Sequence, residues 1–193
     1  LVYYDEPNKK YFAYNTLNGK TTQIAKDIKT SLFDEENDLP DDPNAYGIAK
    51  WMENNQQLII YDRYDLWLVD INGIAASVKL TNGRNNKIIS RFVETDKDRN
   101  TLAKNASILI KGFSEVDKSE SVSLLNLGSL SMTLINQLPM HFTAIVGAAN
   151  SNDIAVMQED EIKSPTLYLY SLEAKKQNPT SIAIINTQQA SYN

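Results

Sequence analysis

At 193 residues, with 42% hydrophobic and 22% charged side chains, the chain can bury a sizeable core in one domain and has globular rather than disordered composition. A net charge of −5 and a pI near 4.9, with basic residues scattered singly or as pairs such as Lys9-Lys10 and Lys175-Lys176, exclude a surface that tracks nucleic-acid phosphates. The lack of cysteine excludes disulfides, thiolate nucleophiles and Cys-ligated zinc, and no apolar run approaches the ~20 residues of a membrane-spanning helix.

The chain opens on Leu1-Val2-Tyr3-Tyr4, which reads as the inside of a strand, so a piece of a longer protein or a processed product is expected. From there the apolar residues come in short runs rich in Ile, Val, Leu, Tyr and Phe, bounded by Asn, Asp, Gly, Lys and Ser. That pattern predicts strands and turns. A first unit holds strands over 1–5 and 10–15, and the one stretch with a helical reading is 23–32. A second unit predicts strands over 46–53, 57–62, 66–71 and 77–81. A third predicts 87–95, 107–112, 121–127 and 131–136, and a fourth 141–148, 153–158, 165–172 and 181–187.

Matching strand ends at Tyr14, Val69, Leu125 and Tyr170 recur every 45–56 residues. Four strands per period of about 40–50 residues is the signature of a β-propeller blade. The expectation is therefore an all-β fold, a partial β-propeller of about three to four four-stranded antiparallel blades. The blade-like units are 1–30, 44–84, 85–138 and 139–190, the first without its innermost strand. A sandwich or an open barrel of the same strands is the rival. Two segments read as solvated connectors: the acidic "SLFDEENDLPDDP", 31–43, and "DKDRNTLAKN", 96–105.

Chemistry is sparsely signalled. No G-x-S-x-G elbow occurs, and the single histidine, His141, has no marked serine partner. The carboxylates of 34–42 lack the D-x-D-x-D-G spacing that bends a loop around calcium. Neither G-x-G-x-x-G nor a phosphate-binding lysine run is present. The residues thus nominate no catalytic group, no metal site and no cofactor. The remaining cluster is Asp62-Arg63-Tyr64-Asp65, set between two apolar runs in "LIIYDRYDLWLVDING", 58–73. It reads as a hairpin turn with its charges toward water, able to face a ligand at a propeller mouth.

These residues also carry a resemblance. Tyr46-Gly47-Ile48-Ala49 with Trp51, then "YDRYDLW" from Tyr61 to Trp67, then Leu80-Thr81-Asn82-Gly83-Arg84 resemble, in that order, a propeller blade of the bacterial prolyl oligopeptidase family, as in large Bacteroidetes-type members. The match covers about 40 residues. More loosely, "ILIKGFSEVDKSES", 108–121, resembles the next blade's central hairpin, and "NTQQASYN", 186–193, resembles the strand and linker before that family's hydrolase domain. The stretch "SNDIAVMQEDEIKSPTLYLYSL" keeps the hairpin pattern without the aromatic and Arg-rich character of the family.

The resemblance implies a noncatalytic propeller segment that gates or contacts peptide substrate for an α/β-hydrolase domain lying C-terminal to it. It further implies a serine peptidase as the parent protein and a periplasmic or other extracytoplasmic location. Arg63, Tyr64 and Arg84 become the candidates for substrate or interdomain contact, because arginine meets carboxylates bidentately. Open blade edges offer a route to self-association. The alternative is a stand-alone binding propeller of the bacterial envelope.

Overall fold

A computed structural model describes residues 1–96, 98–148, 151–172 and 179–188. Positions 189–193, the end of the stretch read as a linker, lie outside the described residues. The chain is built of meander sheets in sequence order. The first contains β1 (Val2–Asp5), β2 (Lys10–Tyr14) and β3 (Thr21–Gln23). The second contains β4 (Ile48–Met52), β5 (Gln57–Tyr61), β6 (Leu66–Asp70) and β7 (Val78–Lys79).

After a 3-10 turn at Arg84–Asn86, β8 (Ile88–Val93) opens the third sheet. The chain then leaves it for β9 (Thr101–Leu102) and returns for β10 (Ser107–Ser114), β11 (Glu120–Asn126) and β12 (Ser131–Leu138). The fourth sheet is β13 (His141–Gly147), β14 (Asp153–Glu159), β15 (Thr166–Ser171) and β16 (Thr180–Ile184).

Alternation of side chains along each strand explains how the sheets stack. In β5, Leu58 and Ile60 enter a core with Tyr11, Ala13 and Ile24 of the first sheet, while Ile59 points the other way. Ile59 joins Leu66, Ile108, Ile110 and Leu125 between the second and third sheets. In β10 the same switch sends Leu109 to Val122, Phe142, Ile154 and Val156, between the third and fourth. An inner sheet thus buries both faces, and its strands read as unbroken apolar runs. Among the described residues nothing covers the two outermost faces: Tyr3 and Tyr14 are exposed on the first sheet, Val146, Leu169, Ile182 and Ile184 on the fourth.

Two sequence expectations change. Residues 23–32 hold no helix: Gln23 is still in the ladder with β2, and Ala25 sits at φ 56, which ends any right-handed turn. The segment 96–105 is more than a connector. Its β9 adds a fifth strand to the second sheet, parallel to β4, with Trp51 opposite Thr101 and Met52 opposite Leu102. Leu102 is buried in the same core as Ile59.

Candidate functional site

Because strands reverse direction in a meander, the turn between a sheet's second and third strands lies at the same end as the exit to the next sheet. Residues 62–65, the turn 115–119 and the connection 80–87 therefore converge. The acidic connection 31–43, leaving the first sheet, reaches the same place.

The turn 62–65 is a buried polar hub, and its carboxylates are not in water. Asp62 and Asp65 are both 0% exposed. Asp62 Oδ1 accepts the backbone N–H groups of Tyr64 and Asp65, each at 2.8 Å, which closes the turn as an Asx motif. Its Oδ2 accepts from Thr30 Oγ1 at 2.7 Å and from Trp67 Nε1 at 3.0 Å. Burial alone would raise the Asp62 pKa; the Thr30, Trp67 and backbone donors overcome it and hold the carboxyl below its ordinary 3.8. Asp65 accepts from Thr81 Oγ1 at 2.8 Å and from the Gly83 N–H, and it pairs with Lys79 Nζ at 2.9 Å. One aspartate anchors the turn to the first-sheet connection, the other to the exit loop of its own sheet.

The side chains between them reach across to the neighbouring sheet. Arg63 Nη2 meets Glu115 Oε1 at 2.7 Å, and Nη1 meets Glu36 Oε1 at 2.7 Å. Tyr64 donates its hydroxyl to Glu115 Oε2 at 2.8 Å. The Arg63 guanidinium, and then the Tyr64 hydroxyl, hold the Glu115 carboxyl below the usual range, while Glu115 pushes the Tyr64 phenol up. Arg84 and Arg63 flank the Tyr64 ring, at 5.0 and 5.2 Å from its centroid. Arg84 Nη2 lies 3.3 Å from Glu35 and 3.6 Å from Asp62, and its buried Nε has no partner among the described residues. Ser90 N–H donates to the Tyr64 carbonyl at 2.8 Å, tying the turn to β8.

Arg63, Tyr64 and Arg84, nominated from sequence, are thus brought together. Three partners, Glu115, Glu36 and Glu35, were not nominated, since each lies in a distant polar loop. The acidic loop is only partly solvated: Glu36 is 68% exposed in its side chain, yet its end is on Arg63. A double-mutant cycle on Arg63→Ala and Glu115→Ala is expected to give a coupling of about 1 kcal/mol in urea unfolding; additive single effects would show the pair to be inert.

His141 stands elsewhere, one sheet further on. It is 67% exposed in its side chain, with Nδ1 2.9 Å from Glu120 Oε1. Glu120 is buried and also pairs with Lys111 Nζ at 2.8 Å. Among the described residues, no three His, Asp or Glu side chains group as a metal site, and no helix is long and apolar enough to cross a membrane.

No protein family matches the chain, and no curated protein matches it. Among solved structures it is similar to an oligogalacturonate lyase in complex with manganese, a β-propeller. The TM-score is 0.52 at 7% identity, over 88% of this chain and 41% of that one. A second match is the WD40 domain of SCAP from fission yeast, with a TM-score of 0.37 at 9% identity, over 95% of this chain and 41% of that one. The chain spans about two-fifths of the length of each. The sheets and the first of these likenesses show the fold: this chain is an all-β partial propeller.

Proposed function

We propose that the chain is a noncatalytic propeller segment of a prolyl oligopeptidase-like serine peptidase, working outside the cytoplasm. In this reading its blades, 1–30, 44–84, 85–138 and 139–190, gate or contact peptide for a hydrolase domain C-terminal to them. The observation that carries the reading is the position of the family-like turn. "YDRYDLW" lies at the face where the inter-sheet connections meet, with Arg63, Tyr64 and Arg84 packed as one group. Glu36 is the exchangeable member of that group, because its exposed carboxylate can yield Arg63 Nη1 to a peptide carboxylate. Glu115, bound by two donors, stays and keeps the guanidinium oriented.

The test is peptide 4-nitroanilide hydrolysis by the protein encoded in the complete reading frame. Turnover stopped by a serine-directed phosphonate, with KM raised roughly tenfold in Arg63→Ala and kcat little changed, is the expected result. A frame with no hydrolase domain and no turnover would overturn the proposal in favour of a stand-alone binding propeller. Turnover with an unchanged KM in Arg63→Ala would remove the contact role from that residue.

A further inference from the structure

We propose a second site, a groove between the third and fourth sheets that takes the lysine or arginine side chain of an extended peptide. It does not rest on the peptidase reading, since a binding propeller would use it equally. The groove has a volume of about 700 Å³. Its origin is a difference in connection length. Between the second and third sheets, residues 80–87 and the Arg63–Glu115 pair fill the gap at this face. Between the third and fourth, only Pro139 and Met140 join β12 to β13, and the equivalent space is open.

The lining decides the occupant. Phe113, Met140 and Ile162 supply an apolar wall, which suits the aliphatic stem of a long basic side chain. Three acidic residues belong to the same lining: Glu159, Asp160 and Glu161. Asp160 is committed to its own turn, accepting the N–H groups of Ile162 at 2.8 Å and Lys163 at 2.6 Å. Glu159 and Glu161 are left to meet a cation.

The basic groups there offer little opposition. Lys118 donates to the Glu115 carbonyl at 2.9 Å and lies over the Phe113 ring, which holds its ammonium at the wall. His141 is anchored through Nδ1 on Glu120, whose charge is already met by Lys111. That anchor holds the ring at the side of the groove. Charge complementarity therefore favours a guanidinium or ammonium, with the apolar residue beside it on Met140 and Ile162.

The experiment is calorimetric and NMR titration of the full 193-residue chain with acetyl-Phe-Arg-amide, and with its citrulline counterpart as a neutral isostere. The arginine peptide is expected to shift the amides of Met140, His141 and Ile162. Citrulline, and separately the double variant Glu159→Gln/Glu161→Gln, should each weaken binding at least tenfold. Neither glutamate is buried, so circular dichroism of the double variant should match the parent. Equal binding of the two peptides would overturn the proposal. So would an unchanged Kd in the folded double variant, shifts confined to the Arg63 cluster, or no binding of the arginine peptide.

Discussion

Replacing Asp62 by alanine is expected to lower the unfolding free energy by about 3–5 kcal/mol, because several buried donors lose their acceptor at once. The substitution removes one acceptor and strands four donors: Thr30 Oγ1, Trp67 Nε1 and the N–H groups of Tyr64 and Asp65. Water cannot easily replace it at a position with no exposure. Asp62→Asn is expected to fall between, because its amide keeps one oxygen for the backbone but turns N–H groups toward the Thr30 and Trp67 donors.

The same carboxylate makes stability depend on acid. Its folded pKa is depressed, so its contribution is fully present above the unfolded value near 3.8 and is lost as pH falls through the lower folded value. Urea unfolding of the parent and of Asp62→Ala at pH 7 and then at progressively lower pH below 4 checks both statements, since the difference between them should shrink with acid. A difference under about 1 kcal/mol at pH 7 would mean that the hub is not the keystone described.

The second large effect is expected at Gly83, where alanine should cost about 2–3 kcal/mol through overpacking. The backbone angle is not the reason: φ is −78. A Cβ there would clash with the Ile88 carbonyl oxygen and lie 3.2 Å from that of Tyr64, both backbone atoms that cannot swing aside. Making room would pull the Gly83 N–H off Asp65 and open the exit loop that carries Arg84. Gly112→Ala is the paired control. Its nearest obstacle is the Ser121 hydroxyl, at the end of a rotatable side chain, so a smaller loss is expected. Thermal unfolding of the two variants side by side decides it; equal losses would contradict the close-approach argument.

Much of this architecture is written in the strands. Runs such as Leu58, Ile59, Ile60 and Ile108, Leu109, Ile110 have no polar side, so each had to lie between two others. The recurrence of matching strand ends every 45–56 residues then implies radial stacking. Short strands of weak apolar content escaped: β3 is Thr21–Gln23, held in a hairpin by β2, and β9 is Thr101–Leu102, set by β4 some fifty residues earlier, neither by its own propensity.

The site was legible as a turn but not as a buried one. Local pattern shows that Asp62 and Asp65 flank a two-residue tip, and Asx turns are usually wet. Burial here comes from Thr30, Trp67, Thr81 and Gly83, which the fold delivers from other elements. The available hint was "LTNGR", whose Gly83 marks a backbone approach. Glu115 gave no signal at all, since nothing local distinguishes it from other loop glutamates.

The strand β9 bears on how the molecule assembles. A propeller of self-contained blades can form one blade at a time, each as it leaves the ribosome. Here the second blade's inner edge is completed by residues from inside the third, with Trp51 waiting for Thr101 some fifty positions later. The intervening chain must be closed into a loop before those rungs form, an entropic toll that local hairpins avoid. The Glu53 N–H bond to the Leu102 carbonyl adds to that delay. The two central blades are therefore expected to mature as one cooperative unit, and a cut placed between them would leave the earlier one with a raw edge.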